Sequence, residues 1–391
     1  MTQASGRKLR AFLLVAPLFC FLALFFVVPL AGIFKLSVSD TSAVRALPRT
    51  ASVIGSWDGT GHPGPEVFRA FVEDLRASDD EQALGDMVRR LNSIQPGFRT
   101  LMAKTTRAAG EQAGALDLLD IDRKWSQPAY WEAIATALEP VTDRYLLATV
   151  DLKRDSAGSI VEQDANMAVN RAVLFRTLWI GAVVTFFCVL LGYPYALVVA
   201  YASRFQRAVL LGAVLLPLWT SLLVRTAAWF LILQEKGLIN EWLQAVGLIN
   251  GPIALIFNRT GLIIAMTHVQ LPLMVLPIYS VLITIPKNLM PAAASLGAPP
   301  LSAFLRVLLP LSARGVASGI LLVFISSLGY YITPALLGGA GEQMLSSFIA
   351  FYATSTADWS MASALGLILV AVTVVLYAVY ERLSGSSERR T

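Results

Sequence analysis

The sequence predicts an all-α membrane protein with six transmembrane helices and a largely helical soluble insert between the first two. Of its 391 residues, 56% are hydrophobic and only 15% are charged, against roughly 25% charged in an ordinary soluble domain. The apolar residues also collect in runs of the length that crosses a bilayer, about 20 residues. Because lipid offers the backbone no hydrogen-bond partners, we expect these runs to be helices.

The first apolar run extends from Ala11 to Phe34 and is flanked by basic residues at both ends. A signal peptide has an apolar core of roughly 7–15 residues followed by small residues at a cleavage site. This run is longer and has no such site. We therefore expect residues 1–35 to form an uncleaved first transmembrane helix.

Residues 36–169 have the composition of a soluble domain. They carry 14 Lys or Arg and 20 Asp or Glu, a net charge of −6, whereas the rest of the chain has a net charge of +11. Amphipathic helical patterns cover Glu66 to Leu75, Gln82 to Leu91 and Trp131 to Leu138. Aromatic residues available for a core are Trp57, Trp125, Tyr130 and Trp131. Two roles stay open for this insert, a spacer that packs on neighbouring subunits or a ligand-binding domain.

Residues 170–385 return to long apolar runs, and residues 386–391 form a short tail. The expected spans are Thr177 to Tyr201, Ala208 to Leu233, Thr260 to Ile285, Gly315 to Leu337 and Met361 to Tyr380. With the N-terminus inside, the inner ends of all spans carry eleven basic residues and the outer ends six. Positive residues favour the cytoplasmic side, so both termini and residues 286–311 are predicted to be cytoplasmic and the insert periplasmic.

Several function classes are disfavoured by the sequence. Cys20 and Cys188 lie in apolar runs, and the two histidines are far apart, so no disulfide or metal site is expected. No Gly-Lys-Ser/Thr motif is present for ATP binding. The basic residues flank apolar helices, which argues against nucleic-acid binding, and no catalytic constellation is apparent.

The loop at 286–311 combines features of a short docked helix. Pro291 suits a first helical turn, where its missing N–H costs nothing. Three alanines follow, and Gly297 can end the helix or allow close approach of another surface. Pro299 and Pro300 then impose a bend. A face built of small residues suits the groove of a partner protein.

This pattern resembles the EAA loop of binding-protein-dependent ABC importer permeases, the MetI-like family. The match reads Pro291-Ala292-Ala293-x-x-x-Gly297 and ends in Val307-Leu308-Leu309-Pro310-Leu311, with Pro291 at the position of the family's glutamate. The resemblance covers about residues 170–385. It implies that the loop is a coupling helix seated in an ATPase, with contact residues Pro291, Ala292, Ala293, Ala294, Gly297 and Ala298.

Four further segments resemble spermidine/putrescine-type permeases. These segments are Leu191 to Ala196, Leu216 to Thr226, Leu271 to Tyr279 and Pro334 to Gly339. The resemblance implies a bacterial inner-membrane permease with no cofactor of its own. Its implied partners are an ATPase dimer that holds ATP and Mg²⁺, a second permease subunit and a periplasmic solute-binding protein. A polyamine is the expected solute, with an opine or amino-acid derivative as the alternative. A membrane sensor is the remote alternative, disfavoured because only eleven residues follow Tyr380.

Eight residues of the membrane half are candidates for the solute pathway. Arg225 is either an interfacial arginine or part of the path, because charge within a span is costly and often functional. His268 and Gln270 either bond between helices or contact solute. Aromatic faces could bind a cation, and two outer carboxylates could meet one. The full set is Trp219, Arg225, His268, Gln270, Tyr330, Tyr331, Glu342 and Asp358.

Overall fold

The structure is a computed structural model that describes residues 14–78, 80–111, 116–155, 158–165, 167–356 and 358–388. The basic residues before the first span and the last three residues of the predicted tail lie outside the described residues. The chain divides into two compact units, Met1–Leu147 with Ala357–Ala364, and Ala148–Thr356 with Leu365–Thr391. The following paragraphs call them the first and second unit.

The first unit begins with a long apolar helix, α1 (Leu14–Ser37), which has a π-helical stretch at Ala23–Val27. No residue in the most apolar stretch of this helix is buried against the rest of the described chain. The remaining helices are short and belong to the insert. They are α2 (Ser42–Ala46), α3 (Pro48–Val53), α4 (Pro65–Ala77), α5 (Glu81–Ile94), α6 (Phe98–Glu111), α7 (Leu118–Ile121), α8 (Pro128–Leu138) and α9 (Arg144–Thr149), with 3-10 turns at Ile54–Ser56 and Arg123–Ser126. The last two residues of α9 belong to the second unit.

An aromatic core holds the insert together. Trp125 and Trp131 are fully buried, and the Phe71 ring meets Trp131 edge-on with centroids 5.6 Å apart. Both indole N–H groups have partners, since Trp131 donates to the Trp125 carbonyl at 2.8 Å and Trp125 donates to the Thr105 hydroxyl at 3.0 Å. The predicted core is thus confirmed for both tryptophans and for Tyr130, while Trp57 packs at its edge.

The second unit begins with a two-stranded antiparallel hairpin in which Leu152 pairs with Glu162. The rest is helical. Its elements are β1 (Leu152–Arg154), β2 (Ile160–Glu162), α10 (Asn170–Tyr201), α11 (Arg204–Trp219), α12 (Leu222–Ile232), α13 (Leu238–Ala245), α14 (Arg259–Leu282), α15 (Leu289–Ser295), α16 (Pro300–Leu328), α17 (Ile332–Leu337), α18 (Leu345–Thr354) and α19 (Trp359–Glu388), with a 3-10 turn at Ala340–Glu342. The first residues of α19 belong to the first unit.

Helices α10, α14 and α16 form the core of the second unit, and small residues let them approach closely. Met274 of α14 is fully buried and lies between two glycines. A Cβ atom on Gly192 of α10 would lie 2.9 Å from Met274 Cγ, and one on Gly319 of α16 would lie 2.6 Å from Met274 Sδ. A side chain at either position would therefore displace Met274 or separate the helices.

Five described helices are long and apolar enough to cross a membrane, or six if the bent pair α11 and α12 crosses once. The prediction of one continuous helix from Ala208 to Leu233 is wrong, because these two helices meet at 101°. Extended backbone at Thr220 ends α11, and the Ser221 hydroxyl caps α12 by accepting the Val224 N–H at 3.2 Å. Satisfying the first turn of a new helix in this way stabilises the break.

The span predicted from Gly315 to Leu337 also has different limits. Helix α16 starts at Pro300 and runs through a π-helical stretch, Phe304–Leu308, before ending at Leu328. Gly329 follows as the C-cap, and a separate short helix, α17, resumes at Ile332. Hydropathy alone does not detect this break because the residues on both sides of it are apolar.

Candidate functional site

Helix α15 occupies the loop that was predicted to form a docked helix. Pro291 lies in its first turn, and the Asn288 carbonyl accepts the Ala292 N–H at 2.9 Å. At the other end, Ala298 N–H bonds the Ala293 carbonyl at 3.0 Å, and Gly297 has φ of +83°. This combination is a Schellman-type ending, which needs a left-handed residue and therefore favours glycine.

The face of α15 that points away from the chain is small and apolar. Pro291, Ala292, Ala294 and Gly297 are exposed, while Ala293 and Ala298 are half-buried. Leu296 projects from the end of this face with 88% of its surface exposed. Sequence reasoning missed Leu296, although its position directly before the helix-ending glycine was a usable signal.

The other side of α15 faces the ends of the long helices. A cavity of about 530 Å³ is lined by Tyr201, Lys287 and Met290 among others. Phe304, nine residues after the end of α15, meets the Tyr193 ring edge-on, with the ring centroids 5.7 Å apart. The Tyr193 hydroxyl lies 2.8 Å from Ser312 Oγ. These contacts join α10 to the start of α16, so the segment after α15 is seated on the helical core.

Arg225 lies at the bend between α11 and α12 and folds back onto it. Its Nη2 donates to the Thr220 carbonyl at 2.8 Å, and its Nε donates to the Thr220 hydroxyl at 3.4 Å. Its charge also acts on the nearby Tyr330 hydroxyl. The structure therefore brings Arg225 and Tyr330 together. The side chains of Trp219 and Tyr331 are exposed, with 76% and 46% of their surfaces accessible. The Thr220 carbonyl lies between the two helices, outside both of them, and Arg225 supplies its hydrogen-bond donor.

His268 and Gln270 both make bonds between helices. Trp229 of α12 donates its indole N–H to His268 Nδ1 of α14 at 3.2 Å. Gln270, which is 1% exposed, donates to Ser327 Oγ of α16 at 3.2 Å. Such bonds satisfy polar groups within lipid. Of the two roles considered for these residues, the observed contacts favour packing.

The two carboxylates that were predicted to lie on the outer side, Glu342 and Asp358, both have partners in the chain. Glu342 accepts a bidentate pair from Arg259 at 2.8 and 3.0 Å and is 17% exposed. Asp358 belongs to the first unit, where its carboxylate accepts the Met361 N–H at 2.9 Å and caps α19. Burial raises the pKa of Asp358 above its ordinary value. The structure thus gives each carboxylate a structural partner, which sequence reasoning had not anticipated.

Together these features define a multi-span membrane component with a small helix exposed beside its helical core. Residues 189–389 match the family described as the binding-protein-dependent transport system inner membrane component. The spermidine/putrescine transport system permease protein PotB of Escherichia coli (strain K12) is 34% identical over 212 residues, which is 54% of this chain and 77% of PotB.

Two other relatives carry different names. The inner membrane ABC transporter permease protein YdcU of Escherichia coli (strain K12) is 30% identical over 229 residues, 56% of this chain and 72% of YdcU. The molybdenum transport system permease protein ModB of Mycobacterium bovis (strain ATCC BAA-935 / AF2122/97) is 32% identical over 209 residues, 53% of this chain and 77% of ModB.

The chain therefore belongs to the family of binding-protein-dependent transport system inner membrane components. It is a multi-pass inner-membrane permease subunit of an ABC importer, a transport subunit rather than an enzyme. This confirms the resemblance drawn from the loop at 286–311. The insert lies outside the matched residues, which begin at 189.

Proposed function

We propose that this permease subunit imports a polyamine of the spermidine/putrescine type. The observation that carries the proposal is the similarity to PotB, which is named for that solute and of which the alignment covers 77%. Exposed aromatic rings at Trp219 and Tyr331 are suited to bind an ammonium group over their faces. A solute-binding protein in the periplasm delivers the solute, and alternating access carries it inward.

In this proposal α15 is the coupling helix. ATP and Mg²⁺ are held by a dimer of separate ATPase subunits, and a second permease subunit completes the path. Closure of the ATPase dimer pushes on the small face from Pro291 to Ala298, with Leu296 as its apolar anchor. The support is geometric, since α15 is exposed on one side and continues on the other into α16, which packs in the core.

The proposal also sets the topology. The first helix (1–35) and the permease domain (170–385) lie in the membrane, residues 36–169 form a periplasmic domain, and both termini, including the tail at 386–391, are cytoplasmic. The asymmetry of basic residues supports this orientation. The same orientation puts α15 on the side where ATP is available.

One observation favours the alternative solute, an opine or other amino-acid derivative. Arg225 is a cation within the bent pair of helices, whereas the Glu342 carboxylate is paired with Arg259. A carboxylate on the solute would complement Arg225 by a charge-assisted hydrogen bond. A polyamine has no group of that kind.

Uptake by the reconstituted transporter decides between the two solutes. We would assemble this chain in proteoliposomes with its ATPase, partner permease and binding protein, and measure ATP-dependent uptake of radiolabelled spermidine. The proposal predicts uptake that putrescine inhibits and that octopine does not. ATP-dependent octopine uptake without spermidine uptake would replace the polyamine with the alternative.

The variant Arg225→Gln adds an independent readout. If a polyamine is carried, the KM for spermidine changes little, because Arg225 bonds the bend rather than the solute. If a carboxylated solute is carried, loss of a charge-assisted bond raises KM by about tenfold or more. Arg204→Gln is the matched control, since Arg204 is an exposed arginine at the start of α11.

A further inference from the structure

Three chain segments of the first unit meet at one place, which we name the junction. They are residues 38–40 after α1, residues 140–142 between α8 and α9, and residues 358–360 at the start of α19. Backbone bonds join the first two, with Asp40 N–H to the Pro140 carbonyl at 3.1 Å and Thr142 N–H to the Val38 carbonyl at 2.9 Å. Ser360 Oγ donates to the Ser39 carbonyl at 3.1 Å and brings in the third.

A buried ion pair lies beside these three segments. Arg90 Nε is 2.8 Å from Asp40 Oδ2, and their side chains are only 5% and 7% exposed. Arg90 Nη1 donates to the Tyr145 hydroxyl at 2.8 Å, and that hydroxyl donates to Asp40. Ser42 adds two more bonds to Asp40, from its N–H at 3.0 Å and its hydroxyl at 2.6 Å. The Asp40 carboxylate is thus held in its charged form by donors on three sides.

Asp358 is the second carboxylate of the junction, and its surroundings differ. Its described contact is the cap on α19, the Met361 N–H at 2.9 Å. The charged and titratable groups that face it are Asp40, Arg90, Arg144 and Tyr145. Burial is the largest cause, and together with the repulsion of Asp40 it outweighs the Met361 hydrogen bond and the attraction of the two arginines, so the pKa of Asp358 is raised.

The pKa of Asp40 moves in the opposite direction. Burial alone would raise it, but the charge of Arg90 and the bonds from Ser42 and Tyr145 prevail, and the pKa of Asp40 is lowered. Burial and the neighbouring Arg90 charge also lower the pKa of Arg144. The junction therefore contains one carboxylate that it binds best when charged and one that it binds best when neutral.

We propose that the junction is a latch between the insert and the start of the last span, and that the proton on Asp358 sets how tightly it closes. Opening the junction returns Asp358 to water, where its pKa is about 3.9. Because the closed state binds the proton more tightly, closure strengthens as the pH falls from neutral through the raised pKa of Asp358. It weakens again only when Asp40 is protonated, below its ordinary pKa.

The insert side of the latch lies outside the family match, whereas the start of α19 lies within it, so the latch would add the insert's control to a span of the common permease. Under the proposed topology it senses the pH of the periplasm. Its closure would fix the start of α19 to the insert, and its opening would free that end of the last span. The existence of the latch does not depend on which solute is carried.

The test replaces each carboxylate with an amide, because the two substitutions are expected to change closure of the junction in opposite directions. Asp358→Asn keeps a side-chain oxygen to cap α19 but removes the charge that the junction disfavours. Asp40→Asn removes the charge that the junction favours. Asp58→Asn is the matched control, since Asp58 is an exposed carboxylate of the insert that bonds only locally to Thr60.

Hydrogen–deuterium exchange of the full transporter in nanodiscs reads closure at peptides covering 38–42, 140–147 and 358–364. At pH 7.5 we expect these peptides to exchange more slowly in Asp358→Asn than in the wild type, because the variant lacks the charge that the closed junction disfavours. At pH 5 the difference should shrink. Asp40→Asn should exchange faster at pH 7.5, and Asp58→Asn should match the wild type.

Each variant is compared with the wild type at the same pH, so the intrinsic pH dependence of exchange cancels. Equal or faster exchange of the junction in Asp358→Asn at pH 7.5 would overturn the latch, as would a difference that persists unchanged at pH 5. Failure of polyamine uptake leaves this exchange pattern unaffected, so the two proposals can fail separately.

Discussion

The contact between α14 and α16 makes a sharp prediction about Gly315. A Cβ atom added to Gly315 would lie 2.8 Å from the Pro277 carbonyl oxygen and 3.0 Å from Ile278 Cα. Both atoms are backbone, so no change of side-chain rotamer relieves the overlap. In Gly315→Ala the two helices must move apart along the core of the second unit.

The expected cost follows from two opposing effects. Overpacking of this kind costs about 1–3 kcal/mol, while replacing glycine with alanine inside a helix gains about 0.5–1 kcal/mol. The net loss of unfolding free energy is then between about zero and 2.5 kcal/mol. For a unit of roughly 200 residues, each kcal/mol lost lowers the Tm by about 2–4 °C.

Thermal unfolding in detergent, followed by the surviving monodisperse fraction, measures the effect. Gly212→Ala is the matched control, because Gly212 lies inside α11 and a Cβ atom there meets nothing within 4 Å. We expect its Tm to stay equal or rise slightly. If Gly315→Ala were as stable as Gly212→Ala, the described contact between α14 and α16 would be wrong.

Three further predictions concern other parts of the chain. Trp131→Ala removes a fully buried indole from the insert and should cost about 3–5 kcal/mol, seen as protease cleavage within 38–147 at temperatures where the wild type resists. The lowered pKa of Asp40 means that its contribution to stability is present above about pH 3.9 and is lost as the pH falls through its folded pKa. An acid titration of tryptophan fluorescence should therefore show a stability loss that Asp40→Asn lacks. Asn240 is fully buried, and its side-chain amide donates to the Ile253 carbonyl and accepts the Ile253 N–H, so Asn240→Leu should cost about 1–3 kcal/mol, measured as a lower Tm than that of the wild type.

The parts of the site that sequence could predict are those governed by local rules. Pro291 in a first turn and Gly297 at a helix end follow from backbone constraints that act within a few residues. The structure places both as expected, with Gly297 at a φ of +83°. The aromatic core of the insert was predictable for a related reason, because large apolar side chains in an otherwise polar segment have to be buried.

The bend at Thr220 was not predicted because hydropathy measures composition and not direction. The run from Ala208 to Leu233 has the length of one span, yet it contains Pro217 and a capping serine, Ser221, four residues apart. Those two residues are the signals that could have located the break. A search for helix-capping residues within apolar runs would have predicted two helices in this segment instead of one.

Local sequence rules could not predict the partners of Glu342 and Asp358. Glu342 pairs with Arg259, 83 residues away in the chain, and the groups facing Asp358 come from the insert. Such contacts depend on how distant segments fold together. The sequence suggested two acidic residues that could contact a cation. In the folded chain Glu342 belongs to a bidentate ion pair and Asp358 to a buried cluster.

The central claim is that α15 transmits the work of an ATPase to this permease, and Leu296→Glu tests it most directly. The substitution places a charge on a side chain that is 88% exposed and that has no packing role within the chain. Ile160→Glu, at a 53% exposed position of the hairpin, is the matched control. In the reconstituted transporter we predict that Leu296→Glu reaches the membrane in normal amounts but loses both solute uptake and ATP hydrolysis stimulated by the loaded binding protein, while Ile160→Glu keeps both. Normal uptake and stimulated hydrolysis in Leu296→Glu would contradict the coupling role of α15.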